Sequence, residues 1–409
     1  MDDTQEDATI IKRTMYAPPW ADVSIIGIAG SSGSGKSTLS QAIVKKLNLP
    51  WVVILPMDSF YKPLTPEQSK KAFRNEYDFD SPEAIDFEVI IQKLRDLKAG
   101  KRAEIPVYSF SKHQRLPETT TIYSPHVLVL EGIFSLYDSR VREILDMMYV
   151  DPQRKVADII VPRGIDNKAA MTMMIQYIEK KLVEKSTHHR AALKELEMHA
   201  DQYPLSPNVR ILDQTQQLIA MNTIIQDIDT SPEDFIFYFD RLACLLIEQA
   251  LNKVRFLEKN IETPDGGQYQ GFQIKGEVSA VLVLRGGSAF ETSMKRVMPD
   301  CKFGRMLVQS NMSTGEPELH YYKMPHDVAQ HESVLLIDTQ MASGGSALMA
   351  VQVLIDHGVD PKRIVFVAYS AGRMGLRRLS MVFPDIAIVV CSMVPDIEER
   401  WVEARYFRC

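Results

Sequence analysis

A glycine-rich segment limits the folds that this 409-residue chain can adopt. It comprises residues 30–37, Gly30-Ser-Ser-Gly-Ser-Gly-Lys36-Ser37. They match the pattern G-x-x-x-x-G-K-[ST] and lie between an apolar run and a helical segment. Glycines let the backbone N–H groups surround phosphates at the positive end of a helix. Lys36 is expected to reach the β- and γ-phosphates, and the Ser37 hydroxyl to ligate magnesium. Because strand, loop and helix agree, the pattern favours a nucleotide-binding loop over a chance Gly/Ser turn.

Short apolar runs alternate with helical segments across residues 22–162. Runs that are apolar at every position are typical of parallel strands covered on both faces. We predict buried strands at residues 23–29, 51–55, 127–130 and 157–161, with a helix that begins at Lys36. The first domain is therefore predicted to be a P-loop NTPase-type parallel sheet of the α/β class.

A second domain is predicted in the other half of the chain. Apolar residues recur at helical spacing over residues 168–197, and a highly charged stretch follows. From about residue 212 the alternation resumes, with strands predicted at 279–284, 333–337, 364–368 and 386–390 and helices at 235–256 and 346–357. We divide the chain into a flexible tail (1–20), a P-loop domain (21–190), a linker (191–212) and a second α/β domain (213–409).

Composition narrows the classes of partner. Hydrophobic residues make up 45% of the chain and charged residues 24%, and no apolar run reaches the roughly 18 residues that span a bilayer. A net charge of −6 gives no field that attracts nucleic acid. The acidic first twenty residues resemble neither a signal nor a transit peptide. We therefore expect neither a membrane nor a nucleic acid as partner. We expect a cytoplasmic protein. Reduced thiols are expected at the widely spaced cysteines Cys244, Cys301, Cys391 and Cys409.

Four motifs after the P-loop resemble the uridine/cytidine kinase family in order and spacing. They are VILPMDSFY at residues 53–61, FDSP at 79–82, PVYSFSKH at 106–113 and LVLEG at 128–132. The resemblance implies phosphorylation of uridine and cytidine to UMP and CMP, with ATP and Mg²⁺ as cofactors. By the same resemblance, ATP is held by Gly30, Ser31, Ser32, Gly33, Ser34, Gly35, Lys36, Ser37 and Thr38.

The resemblance also suggests roles for the other site residues. Asp58 would accept the proton of the ribose 5′-hydroxyl, with a helix cap or a surface acid as the alternative. Asp80 would hold the ribose hydroxyls, and Glu131 would join Ser37 at magnesium. His113 would hydrogen-bond the base edge, unless it is an ordinary surface histidine. Aromatic side chains would form the walls of the pyrimidine site, or belong to the core: Tyr61, Phe79, Tyr108 and Phe110.

One part of the family pattern is missing. Kinases of this family carry an arginine-rich lid before the strand that ends in Pro-Arg-Gly, and here residues 147–151 continue directly into that strand. Arg154 and Arg163 stand alone. Arginines that close over a transferring phosphoryl group contribute about 10³ to 10⁵ in rate. We therefore expect this chain to bind ATP but to turn over slowly, whether the gap is real, an isoform or an error of the gene sequence.

Residues 334–346, VLLIDTQMASGGS, repeat the arrangement of an apolar strand, an acid, a small-residue loop and a helix. This loop resembles the phosphoribosyl diphosphate loop of uracil phosphoribosyltransferases, and the match covers nearly all of residues 215–400. The resemblance implies a phosphoribosyltransferase-like α/β domain, with Asp338 near the ribose. An ordinary strand-to-helix turn without a ligand is the alternative. The expected site residues are Arg285, Asp338, Ala342, Ser343, Gly344, Gly345 and Ser346.

The uracil-reading Pro-Gly-x-Gly-Asp loop of those transferases is missing here, and only Arg405-Tyr-Phe407 is similar to the family's ending. We therefore rank a regulatory or assembly role, with phosphoribosyl diphosphate or a nucleotide as effector, ahead of catalysis. Kinase followed by transferase-like domain is the layout of eukaryotic uridine kinases, in which a homo-oligomer is expected. Three functions stay open: nucleoside kinase, uracil phosphoribosyltransferase, and non-catalytic nucleotide-binding or assembly protein.

Overall fold

The computed structural model describes residues 16–151, 157–159, 161, 166–200, 204–311, 313–395 and 400–407. Residues 1–15 of the predicted tail, and the two isolated arginines Arg154 and Arg163, lie outside this part. The chain divides into two compact units, one of residues 17–189 and one that begins at Arg190 and includes Tyr16. The predicted α/β class is confirmed in both units.

The first unit is built on a parallel sheet in the order β2-β5-β1-β6. Its strands are β1 (Ser24–Gly30), β2 (Val52–Pro56), β5 (Val127–Gly132) and β6 (Met147–Asp151). Strand β1 is buried at all seven positions, as expected for a strand covered on both faces. Parallel pairing brings the carboxyl ends of β1, β2 and β5 to one edge, where the predicted site residues follow.

Helices cover both faces of this sheet. On one face, Leu39 and Ile43 of α1 (Lys36–Leu47) pack with Met174 and Ile178 of α5 (Lys168–Ala200). On the other, α3 (Phe87–Lys98) buries Ile90, Ile91 and Leu94. The remaining elements are α2 (Pro66–Ala72), α4 (Ser139–Arg142) and an antiparallel hairpin of β3 (Ala103–Ser109) and β4 (Gln114–Ile122).

Two segments differ from expectation. Within the described part of residues 157–161, only Ile159 makes an isolated bridge, and its backbone N–H reaches the Met148 carbonyl at 3.3 Å. The predicted linker is partly regular structure, because α5 continues to Ala200 and residues 209–211 form a strand. That strand, β7 (Val209–Ile211), pairs in parallel with a strand of the second sheet. A three-residue strand with an exposed arginine has no hydrophobic periodicity from which to predict it.

The second unit contains a seven-stranded sheet in the order β12-β11-β10-β13-β14-β15-β7. Only the β11–β12 pair is antiparallel. The central strands β13 and β14 are buried at all nine positions, which matches their predicted apolar runs. The bounds are β10 (Val278–Leu284), β11 (Lys302–Ser310), β12 (Pro317–Lys323), β13 (Ser333–Met341), β14 (Ile364–Gly372) and β15 (Ala387–Val394).

The core of the second unit forms where Phe235, Phe239 and Leu246 of α7 (Pro232–Leu251) pack against the sheet. The other helices are α6 (Gln216–Gln226), α8 (Glu291–Val297), α9 (Gly345–Asp356), α10 (Arg373–Val382) and α11 (Trp401–Tyr406), and a hairpin comprises β8 (Phe256–Glu262) and β9 (Gln268–Ile274). Among all the described residues, no helix is both long enough and apolar enough to cross a bilayer.

Candidate active site

Residues 30–38 comprise the end of β1, the loop that follows it and the start of α1. Gly33 and Gly35 adopt φ values of 76° and 85°, which favour glycine, and a Cβ added at either would meet nothing within 4 Å. No side chain caps the N-terminus of α1. The N-terminus of α1 therefore has no side-chain acceptor at its cap position, which leaves its first N–H groups available to an anion.

Ser37 and Glu131 meet at the carboxyl edge of the sheet. The Ser37 hydroxyl lies 3.1 Å and 3.0 Å from the two carboxylate oxygens of Glu131, to which it donates. Burial raises the pKa of Glu131, while the Ser37 hydrogen bond and Lys36 lower it. A carboxylate beside a hydroxyl is an oxygen donor set that a hard divalent cation fits.

Asp58 lies on a 3-10 turn, Met57–Phe60, that directly follows β2. Burial raises the pKa of its carboxyl above the usual range, Lys36 lowers it and Asp80 raises it further. Asp58 thus lies within electrostatic reach of both Lys36 and Asp80. A carboxylate with a raised pKa, beside a glycine loop of this kind, suits a general base.

The four predicted aromatic residues form one cluster with His113. The Tyr61 ring centroid lies 5.6 Å from that of Phe79, 5.1 Å from Tyr108 and 6.1 Å from Phe110. The Phe79 and His113 rings stack at 5.3 Å. Tyr61 and Tyr108 also belong to the core, whereas Phe110 is 57% exposed. One side of the cluster therefore belongs to the packed interior and the other faces solvent.

Two polar atoms of this cluster are buried without a hydrogen-bond partner among the described residues: the Tyr108 hydroxyl and His113 Nδ1. A buried unpaired polar atom costs about 1–3 kcal/mol, so it calls for an explanation. Both lie among aromatic rings that can stack on a flat base. A polar heterocycle bound there would supply the missing partners. Asp80 is exposed nearby, with its backbone N–H bonded to Asp78 Oδ1 at 2.9 Å.

Arg115, on β4, is a residue that the motif analysis did not single out. Its guanidinium donates to the carbonyl oxygens of Tyr61 at 2.8 Å and Phe60 at 3.2 Å, and to the Asp86 carboxylate at 3.1 Å. Arg115 thereby ties the hairpin that carries His113 to the turn that carries Asp58. Its position two residues after the His113 motif is the only sequence signal for this contact.

The loop of residues 342–346 in the second unit follows β13 and begins α9. Gly344 has φ 85°, and a Cβ added there would lie 3.0 Å from the backbone of Gly375, so the loop is packed from behind. Asp338 is 2% exposed and forms an ion pair with Arg400. The exposed Arg285 precedes the turn Gly286–Phe290, and a Cβ on Gly286 would lie 2.7 Å from Asp338 Oδ1. These predicted residues come together in one place.

Two family models match separate regions of this chain. Residues 25–159 match the model of the phosphoribulokinase / uridine kinase family, and residues 211–402 match that of uracil phosphoribosyltransferase. A uridine kinase of Schizosaccharomyces pombe is 37% identical across 96% of this chain and 97% of its own length. The chain belongs to the uridine kinase family.

Other uridine kinase family members match over similar lengths. A uridine kinase of Saccharomyces cerevisiae is 34% identical across 97% of this chain and 91% of its own length. Uridine-cytidine kinase A of Dictyostelium discoideum is 33% identical across 97% and 88%. The similarity therefore extends across both units of this chain in family members from fungi and a slime mould.

Proposed function

We propose that this chain transfers the γ-phosphoryl group of ATP to the 5′-hydroxyl of uridine and cytidine, with residues 21–190 as the kinase domain. The observation that carries the proposal is the position of Asp58 on the turn Met57–Phe60, which leads directly into Tyr61 of the aromatic cluster, with Lys36 within electrostatic reach of the carboxyl. A loop suited to phosphates, a carboxylate suited to act as general base and a set of rings suited to a flat heterocycle thus share one edge of the sheet.

The residues suggest how the reaction proceeds. Residues 30–38 hold the phosphates, and Asp80 accepts hydrogen bonds from the ribose hydroxyls. Asp58 takes the proton of the 5′-hydroxyl as that oxygen bonds to the γ-phosphorus and the bond to the bridging oxygen of ADP breaks. Lys36 balances charge on the phosphates. Ser37 and Glu131 would hold Mg²⁺, which neutralises the charge that develops on the phosphoryl oxygens.

The turnover of this chain should be slow. The arginine-rich lid is missing from its sequence, and positioned arginines contribute about 10³ to 10⁵ in rate. The loop, the acids and the aromatic cluster do not depend on that lid. Binding of ATP and uridine is therefore expected to persist.

Single-turnover assays with labelled uridine and ATP test the proposal. Replacing Asp58→Asn should lower the rate of UMP formation by roughly 10²- to 10⁴-fold, because the base is lost. Asp96→Asn is the control and should retain the rate, since Asp96 is half-buried in the last turn of α3 and its carboxylate accepts a hydrogen bond from Gln92 at 3.1 Å. Equal rates for the two variants would contradict the role of Asp58.

For the second unit we propose a non-catalytic role, with uracil phosphoribosyltransferase activity as the alternative. The observation that favours the first is the Arg400–Asp338 ion pair, which neutralises the acid expected to face a ribose. The full chain with Lys36→Ala, supplied with phosphoribosyl diphosphate and uracil, should produce no UMP. Formation of UMP under these conditions would establish the alternative.

A further inference from the structure

Residues 62–84 connect the turn after β2 to the start of α3, and the two ends of this segment are joined. The Lys62 N–H donates to the Ala84 carbonyl at 2.8 Å, and the Asp86 N–H donates to the Phe60 carbonyl at 2.9 Å. These two bonds close the 62–84 segment at its base. The segment therefore leaves the body of the first unit as one closed loop.

Helix α2 lies within the 62–84 segment and is capped at both ends. The Thr65 hydroxyl accepts the Gln68 N–H at 3.2 Å, and the Gln68 side chain accepts the Thr65 N–H at 2.9 Å. Beyond the last turn, the Glu76 N–H donates to the Lys71 carbonyl at 2.9 Å. Phe73 follows α2 directly, so its backbone position is set by a helix with defined ends.

The Phe73 ring contacts the imidazole of His113. The two ring centroids lie 4.9 Å apart, with the planes at 79° in an edge-to-face arrangement. Phe79, from the same 62–84 segment, stacks on His113 at 5.3 Å with an interplanar angle of 22°. One closed segment thus supplies a perpendicular ring and a parallel ring to the same imidazole.

The backbone of His113 does not by itself fix its ring. His113 lies in the turn between β3 and β4 with φ 49°, in the left-handed region. The torsion that rotates an imidazole about its Cβ–Cγ bond has broad wells, so neighbouring side chains decide the ring plane. His113 Nδ1 is buried without a partner among the described residues, and a hydrogen bond to it weakens steeply when the ring turns away.

We propose, on the basis of the nucleoside site proposed above, that Phe73 is a positioning residue for His113. Its edge-to-face contact holds the imidazole in the plane in which His113 hydrogen-bonds the edge of a pyrimidine base. Phe73 thereby acts on nucleoside affinity. The turn that carries Asp58 is held separately by Arg115, so phosphoryl transfer from a bound nucleoside does not depend on Phe73.

Calorimetric titration of the full chain with uridine, in the presence of ADP and Mg²⁺, tests this role. Phe73→Leu should weaken uridine binding by roughly 3- to 10-fold, because the edge-to-face ring pair is lost. Phe73→Tyr keeps the ring and should stay within about twofold of wild type. The single-turnover rate at saturating uridine should change by less than about twofold in both variants, since only binding is affected.

Phe237→Leu is the matched control, because Phe237 is an exposed phenylalanine of the second unit with an edge-to-face contact to Tyr238. It should leave uridine binding unchanged. Phe73 is 63% exposed, so its replacement opens no cavity in the core, and thermal unfolding of each variant verifies that it folds.

A double-mutant cycle separates positioning of His113 from a general effect on the fold. His113→Ala alone should weaken uridine binding at least as much as Phe73→Leu. Adding Phe73→Leu to His113→Ala should weaken it by less than about a further twofold, because the residue through which Phe73 acts is gone.

Three results would overturn the role of Phe73 and leave the proposed kinase function standing. These are uridine binding by Phe73→Leu that equals wild type, a loss in Phe73→Tyr as large as in Phe73→Leu, and a full additive loss in the double variant. Wild-type protein that neither binds uridine nor converts it to UMP would overturn the proposed function and the role of Phe73 together.

Discussion

The two glycine loops of this molecule share one backbone feature and have different surroundings. Each contains a glycine with φ 85°, Gly35 or Gly344, immediately before a twelve-residue helix. The acid of the first loop, Glu131, faces the Ser37 hydroxyl, whereas the acid of the second, Asp338, faces a guanidinium. We therefore propose that both loops can hold a phosphate and that the neighbour of each acid determines what chemistry can follow there.

Restoring a lid should have the largest effect on the first region. Insertion of an arginine-rich lid after Asp151 should raise the single-turnover rate of uridine phosphorylation by about 10³- to 10⁵-fold, because arginines stabilise charge on the transferring group. The same insertion with its arginines replaced by glutamine is the control and should give no gain. Ordinary kinase rates in the chain without any insertion would refute the expectation of slow turnover.

Arg115→Gln should show whether Arg115 positions the turn that carries Asp58 in the first region. Loss of its bonds to Phe60, Tyr61 and Asp86 should lower the free energy of unfolding by about 2 kcal/mol. Displacement of the Asp58 turn should lower kcat by roughly 10- to 100-fold with a smaller change in uridine affinity.

Arg102→Gln is the matched control for Arg115, since Arg102 pairs with Glu104 on the exposed side of the same hairpin. Its effect should stay within about 0.5 kcal/mol, as for ordinary surface substitutions. Guanidinium added to an Arg115→Ala variant should restore part of the rate. An effect on stability alone, with kcat unchanged, would show that Arg115 does not position the turn.

The effect of pH on kcat/KM for uridine should be smaller than the effects of these substitutions. Burial and Asp80 raise the pKa of Asp58, so kcat/KM for uridine should fall with acidification at a pH above the ordinary carboxyl range of about 4. Asp80→Asn removes a negative charge and should shift this acid limb to lower pH while it raises KM. Glu83→Gln serves as the control. A limb that moves upward in Asp80→Asn would contradict the proposed coupling.

Much of the architecture was predictable because its signals are local. The buried strands β1, β13 and β14 are continuous apolar runs, and the start of α1 at Lys36 follows from the glycine before it. The aromatic residues of the first site could be predicted as a group from their motifs, and the structure places them together.

The interactions that distinguish the two sites were not predictable. The Arg400–Asp338 pair joins residues 62 positions apart, and Arg115 reaches Tyr61 across 54 positions. Neither arginine belongs to a local pattern, and the sequence does not show which of several carboxylates a long cationic side chain will reach. Contacts of this kind depend on how strands and loops meet in space.

The difference between the two regions is tested most directly by the source of UMP. The full chain is incubated with Mg²⁺ under two conditions: ATP with labelled uridine, and phosphoribosyl diphosphate with labelled uracil. Our account predicts slow formation of labelled UMP from uridine, lost in Asp58→Asn, and none from uracil. Labelled UMP from uracil but not from uridine would contradict it.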